Sequence, residues 1–522
     1  MNDITEPFGS GVKLQYISYG AMFLSSTIFY FFLAHIIPVN AVGSVSLLYA
    51  IMDIGSILFT FGLRAGIQHY FSYHLAQDNN STLMKLIRVT ALLGILFPIF
   101  AFISIYYSSH YIAVIFFHSI TYELSIKIIG IAVADLVVIN IYASMLLGLN
   151  QYRKYAIVYI FVYTFTYFFP LILLLIYGHL IYLISGIAII YTISASIFVL
   201  YIYQMYKKIS MNTGSYIKQP YKDILHYSFP LFFSSIMGTS AIYIDRIIVA
   251  YFVNLTYLGI YNYALIISGA ASLLISPVSN LLIPKLSSFF SLGNKIAFKS
   301  SIRILLNIVS LLYIPSALGI AALSKPILYI FAGPVYEKAY LSLMIIMFTT
   351  SLFIGSTVLI PAISSVRKTR IYILSSSLSL AANLILSIIL IPVFNILGAA
   401  IAYSSMNAFT FIIVYYFAKK FGITNYDITR IFKIWVASLL MFGIVFTLQN
   451  YISYGLLDIL ICILTGLSVY LIEIKYFKLI NMDEMKYGLM IIPERARFIK
   501  YVMQHLAYNN KFKANKAFRF LK

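Results

Sequence analysis

Charge is what this chain has least of. Asp, Glu, Lys and Arg make up 10% of 522 residues, against about 25% in soluble globular proteins. A single cysteine, Cys462, excludes a disulfide framework and any Cys-based metal site. The 15 acids form no paired cluster, and no metal-spaced His/Asp/Glu set, Ser–His–Asp candidate or phosphate-binding Gly-rich loop is present. No cofactor and no metal are expected, and the pattern argues against an enzyme. Long hydrophilic segments between the apolar runs are missing as well.

What fills the chain is apolar: 62% of residues are hydrophobic and the mean hydropathy is +0.94. The runs are continuous and ~20 residues long, the length that crosses a bilayer as a helix. A β-barrel would instead alternate polar and apolar residues. The fold class is all-α polytopic membrane protein, with about 14 transmembrane helices. Span two is read at 42–72, span seven at 224–252 and span eight at 257–284. The last two spans fall at 431–449 and 453–474. "MNDITEPFGSGVKLQ" lacks the features of a cleaved signal, so the first span is read as its own insertion signal.

A net charge of +21 suggests nucleic acid in a soluble protein. Sidedness explains it better here, and no nucleic-acid partner is expected. With the N-terminus placed in the cytoplasm, the inner segments carry 31 Lys and Arg and the outer ones 3. That follows the positive-inside rule and puts both termini in the cytoplasm of a plasma-membrane protein. The basic tail 475–522 is expected against anionic headgroups. The sizeable outer stretches are 108–124 and 324–340; the other outer turns are short.

"VNAVGSVSLLYAI" (39–51) and "VNLTYLGIYNYALI" (253–266) each follow one span and a short turn. They mark a repeat of six spans, an even number, so the two repeats run parallel about an axis along the membrane normal. The expected organisation is an N-lobe over 1–206, a cytoplasmic linker at 207–223, a C-lobe over 224–418, two further spans over 431–474, and the tail.

Four blocks in order, "DRIIVAYFVNLTYLGIYNYAL", "LIPKLSSFFSLGNKIAFKSSIR", "IFAGPVYEKAYLSLMIIM" and "AANLILSIILIPVFNILGAAIAYS", resemble the polysaccharide transporters of the multidrug/oligosaccharidyl-lipid/polysaccharide (MOP) flippase superfamily. "GLRAGIQHYFSYHLAQDNN" (62–80) resembles the end of that family's second span, with His69 where a basic residue, commonly Arg, is expected. The resemblance covers roughly residues 1 to 470. It implies two V-shaped lobes, alternating access, and translocation of a polyprenyl-linked oligosaccharide, with other polysaccharide-assembly proteins as possible partners. A cation-coupled exporter of small amphipathic compounds and a membrane enzyme of glycan assembly are the alternatives.

Charges inside apolar spans cost roughly 2.5–3.5 kcal/mol each on insertion scales, so they are compensated or used. Asp245 and Arg246 are adjacent in span seven and point ~100° apart, so each needs its own partner or an aqueous cavity. They are read as lining a cavity, or as a structural interhelical ion pair. Asp53 and Arg64, eleven residues apart in span two, are expected on one helix face about 16 Å apart. Arg64 suits a lipid pyrophosphate through bidentate hydrogen bonds, or snorkels to the inner headgroups. Asp53 and Asp135 are candidates for a coupling cation or proton, or for structural pairing. Of the 46 tyrosines, only Tyr49 and Tyr243, one turn from a candidate charge, are singled out; aromatic belts and packing account for the rest.

Overall fold

The computed structural model describes residues 8–77, 80–209, 220–272, 286, 295–366, 368, 370–423, 427–451 and 455–479. The linker centre, the second part of span eight, Pro277 and most of the basic tail lie outside the described residues. Every regular element among those described is helical, as a hydrocarbon environment demands, because a helix satisfies its backbone groups within one segment. In chain order the helices are α1 (Phe8–Ile36), α2 (Val39–Thr60), α3 (Leu63–Ala76), α4 (Asn80–Phe117), α5 (Glu123–Gly148), α6 (Tyr152–Tyr177), α7 (Leu180–Ile209), α8 (Pro220–Phe252) and α9 (Leu255–Ser272). There follow α10 (Lys295–Ala322), α11 (Ser324–Ala332), α12 (Tyr340–Leu352), α13 (Ser356–Ser365), α14 (Arg370–Phe394), α15 (Ile396–Lys420), α16 (Ile428–Gln449) and α17 (Leu456–Tyr476).

Among the described residues, twelve helices are long and apolar enough to cross a membrane. The bent pair Pro334–Leu352 and Ser356–Ser365, 44° apart, makes a thirteenth if it forms one span. Large apolar side chains face outward along them. On α4, Leu92, Ile95, Leu96, Ile99, Phe100 and Ile103 recur at helical spacing and are all 46–61% exposed, which in this chain marks a lipid-facing stripe.

Two compact units are present. The first draws on the ranges 1–265, 331–339 and 376–406. In it α1 packs on α6, α6 on α7, α5 on α4 and α7, and α8 on α2, α3 and α4. The second draws on 266–330, 340–375 and 407–522. There α10 packs against α12, α16 and α17, and a groove of about 350 Å³ is lined by residues that include Pro315, Gly319, Met441, Cys462 and Gly466. Cys462 is a free, buried thiol.

One expectation needs correction, and the two sizeable outer stretches prove to be helical. Span two is not one helix. Phe61 (φ 51) and Gly62 (φ 69) are both left-handed and separate α2 from α3. At Gly62 a side chain would collide with the backbone of α8 at Ser228, so the residue that permits positive φ also permits the close approach. Asp53 and Arg64 therefore do not share a continuous helix face. The outer stretch 108–124 is largely helical: α4 runs 38 residues to Phe117, about 57 Å at 1.5 Å per residue, and Ile120–Tyr122 forms a 3-10 turn. Likewise 324–340 is α11 followed by the 3-10 helix Pro334–Ala339.

The two repeat-like segments meet. A side chain on Gly43 of α2 would overlap the backbone of Leu255, and one on Gly259 of α9 would overlap that of Val39. One turn further on, Ser46 Oγ donates to Asn262 Oδ1 at 2.9 Å, both residues buried. Gly43 and Gly259 are separated by the same 216 residues as Ser46 and Asn262, so the two contacts lie in one register along the crossing. Small residues at such a crossing let backbones touch where lipid supplies no hydrophobic drive for association.

Candidate functional site

The charged residues singled out from sequence all fall in the first unit. Asp53, on α2, is half-buried and accepts a hydrogen bond from the Tyr243 hydroxyl of α8. Three residues along α8, the Arg246 guanidinium lies 4.6 Å from the Tyr243 ring centroid, close enough for a cation–π contact. One phenol thus touches both charges: its hydroxyl holds the carboxylate and its face holds the cation. Tyr49, one turn before Asp53 on α2, has a buried hydroxyl without a hydrogen-bond partner, as does the Nε of Arg246.

Asp245 points elsewhere. It is fully buried and accepts a hydrogen bond of 2.6 Å from Tyr261 of α9, itself fully buried. No ion pair joins Asp245, Arg246 or Asp53 among the described residues. The adjacent acid and base are therefore divided between two neighbours, as their ~100° separation around the helix requires. The helix carrying them is fixed from α14, where Asn383 Nδ2 donates to the Ala241 carbonyl at 2.7 Å and Ser387 donates to Asn383 at 3.0 Å.

Asp135, half-buried on α5, takes its hydrogen bond from Thr192 of α7 at 2.5 Å. It stands with α7 and not with the α2–α8 pair. Arg64, on α3, is exposed, and its electrostatic neighbours are the phenols of Tyr19, Tyr155, Tyr159 and Tyr163. So Asp53, Tyr243 and Arg246 come together, Asp245 is held in the adjacent α8–α9 packing, and Arg64 and Asp135 each stand apart.

Reading from sequence missed Tyr261, Thr192, Asn383 and the tyrosines of α6. The last had a signal. In "YAIVYIFVYTFTY" the phenols fall at 155, 159, 163 and 167, every fourth residue and hence one helix face. Among the described residues no three His, Cys, Asp or Glu side chains converge as a metal site.

Known proteins give this geometry its context. The model of the polysaccharide biosynthesis protein family matches residues 10–290, more than half of the chain. The chain belongs to that family. The chain is 25% identical over 250 residues to the probable low-salt glycan biosynthesis flippase Agl15 of Haloferax volcanii, covering 48% of the chain and 53% of the relative. It is 27% identical over 208 residues to the capsular polysaccharide biosynthesis protein CapF of Staphylococcus aureus, covering 38% of the chain and 50% of the relative. The chain thus spans about half the length of the curated relatives it matches. In fold it is similar to the lipid II flippase MurJ in an inward closed conformation, with a TM-score of 0.69 and 18% identity over 88% of this chain and 98% of that one. An inward-facing multidrug resistance MATE family transporter of the MOP superfamily follows, with a TM-score of 0.64 and 11% identity over 76% of this chain and 94% of that one. The protein is a multi-pass membrane protein with the helical fold of that superfamily.

Proposed function

We propose that the protein moves a polyprenyl-(pyro)phosphate-linked oligosaccharide between leaflets, as a flippase in the assembly of a surface polysaccharide or glycoprotein. Family membership supports the glycan side of this reading. The observation that carries the transport side is the Asp53–Tyr243–Arg246 cluster, an acid and a base set within spans and joined through one phenol. Intramembrane charges of this kind are retained where a charged substrate or ion passes.

In this reading Arg64 and Arg246 attract the phosphate headgroup, with Tyr49 and Tyr243 beside it. Asp53 and Asp135 are the candidates for a coupling proton or cation. The two lobes at 1–206 and 224–418, alternating access between them, and cytoplasmic termini belong to the same proposal. So do contact of the 475–522 tail with anionic lipid and cooperation with other assembly proteins.

The test is translocation in proteoliposomes of neutral phospholipid carrying a fluorescent polyprenyl-pyrophosphate oligosaccharide, followed by quencher access from outside. Protein-dependent movement that falls at least roughly tenfold in Arg246→Ala or Asp53→Asn is expected, the scale of a lost charge contact of 1.4 kcal/mol or more. Movement unchanged in both variants removes the cluster from the mechanism. No movement of lipid-linked sugar, with proton-driven uptake of an amphipathic cation in the same vesicles, replaces the flippase by an exporter.

A further inference from the structure

α6 has two faces of different chemistry. Ile157, Phe165 and Ile172 are 54%, 44% and 50% exposed and fall together on one side, which faces lipid. On the nearly opposite side lie Tyr155, Tyr159, Tyr163 and Tyr167, by the helical repeat of 3.6 residues. The first three rings follow one another along the helix: Tyr155 and Tyr159 are 4.4 Å apart between centroids, and Tyr159 and Tyr163 5.3 Å. Tyr155 is 9% exposed, while Tyr159, Tyr163 and Tyr167 are half-buried.

These phenols are not an interfacial belt. A belt sits at one membrane depth, whereas this stripe climbs about 18 Å along the helix axis at 1.5 Å per residue. Nor is it wholly packed away: Tyr159 meets Phe198 of α7 at 6.3 Å and Tyr167 meets Phe29 of α1 at 5.4 Å between centroids, yet Tyr159, Tyr163 and Tyr167 all keep partly open surface. Charges of opposite sign stand along it. Arg64 stands in electrostatic range of Tyr155, Tyr159 and Tyr163, and Asp53 in range of Tyr167.

We propose that the α6 tyrosine stripe is a stacking rail for the sugar rings of the substrate's oligosaccharide, running between Arg64 and Asp53. The inference rests on the flippase reading and adds the part of the substrate that the charged cluster does not explain. A pyranose ring presents a face of C–H groups flanked by equatorial hydroxyls. A half-buried phenol matches both, with an apolar ring and a polar tip. Because every pyranose has such a face, the rail reads ring after ring and tolerates changes of sugar, as stacking surfaces do. Its length suits several rings in series, so engagement grows with chain length.

The test separates the rail from the transport reading. Saturation-transfer NMR is recorded on the full-length protein in nanodiscs with free glucose, maltotetraose and chitotetraose. Transfer to the ring C–H protons of both tetrasaccharides, weak for glucose, is expected. The double variant Tyr159→Leu and Tyr163→Leu loses it roughly fivefold or more, while Tyr159→Phe, which keeps the ring, and Phe165→Leu, on the lipid face, retain it. Monodisperse elution and unchanged thermal unfolding of the double variant show that it folds. Equal transfer in wild type and double variant, or no transfer in wild type to either tetrasaccharide, overturns the rail. In proteoliposomes the same double variant slows an oligosaccharide-bearing polyprenyl phosphate and spares one bearing a single sugar; equal slowing of both also overturns it. If wild type moves neither lipid, the transport reading fails, and the NMR result still decides whether the stripe binds sugar.

Discussion

Asp245 shows at the scale of one residue how a buried charge is tolerated. It is fully buried, its side-chain donor is Tyr261, and the neighbouring guanidinium turns to another ring. Removing one partner of a buried pair costs more than removing both, because the survivor keeps its desolvation penalty. Tyr261→Phe is therefore expected to destabilise by about 1–3 kcal/mol, read as a fall in the thermal unfolding midpoint in detergent. Asp245→Leu in the Tyr261→Phe background is expected to recover part of that loss. A double variant less stable than Tyr261→Phe alone would mean that Asp245 is held by something other than this hydrogen bond. The acids and bases were legible in sequence because each interrupts an apolar run. Their partners were not, since nothing local distinguishes Tyr261, sixteen residues on and in another helix, from the other tyrosines.

Between helices, backbone proximity does what side-chain burial does in a soluble core. The pairing of Gly43 with Gly259 joins α2 to α9, and Gly62 brings the α2–α3 break against α8. Gly259→Leu forces overpacking at the crossing, which costs typically about 1–3 kcal/mol. Gly62→Ala adds left-handed strain of about 1–2 kcal/mol to a backbone collision. Both are expected to lower the unfolding midpoint, whereas Gly443→Ala, where a side chain meets open space, leaves it near the wild-type value. Equal midpoints for Gly259→Leu and Gly443→Ala would contradict the close crossing. The two segments that hold the first pair, "VNAVGSVSLLYAI" and "VNLTYLGIYNYALI", stood out in the sequence, but nothing in either said that they touch. The helix break was not visible: hydropathy averages across Phe61 and Gly62, and the reason for their left-handed turn lies on α8, more than 160 residues away. The tyrosine stripe had the right spacing in plain sight, but a chain with 46 tyrosines hides one period among many.

For the whole molecule, orientation decides what the charged cluster and the stripe are for. In the proposed topology, which sets 31 basic residues inside and 3 outside in keeping with the positive-inside rule, the start of α6 lies on the cytoplasmic side. Tyr155 and Arg64 then form the end of the stripe that meets a substrate made inside, while Tyr167 and Asp53 lie deeper along its path. Single-cysteine labelling tests this directly, because Cys462, 2% exposed, is the chain's only native thiol and Cys462→Ala gives a clean background. Ile120, 60% exposed between α4 and α5, and Lys420, exposed at the end of α15, fall on opposite sides in the proposed topology. A membrane-impermeant maleimide applied to intact cells is expected to label Ile120→Cys and to reach Lys420→Cys only after permeabilisation. The reverse pattern would turn the Arg64 end outward, and a carrier so placed would collect its phosphate-bearing substrate from outside. Export of a cytoplasmically built glycan would then be the wrong direction for this protein, even with the same residues lining the path.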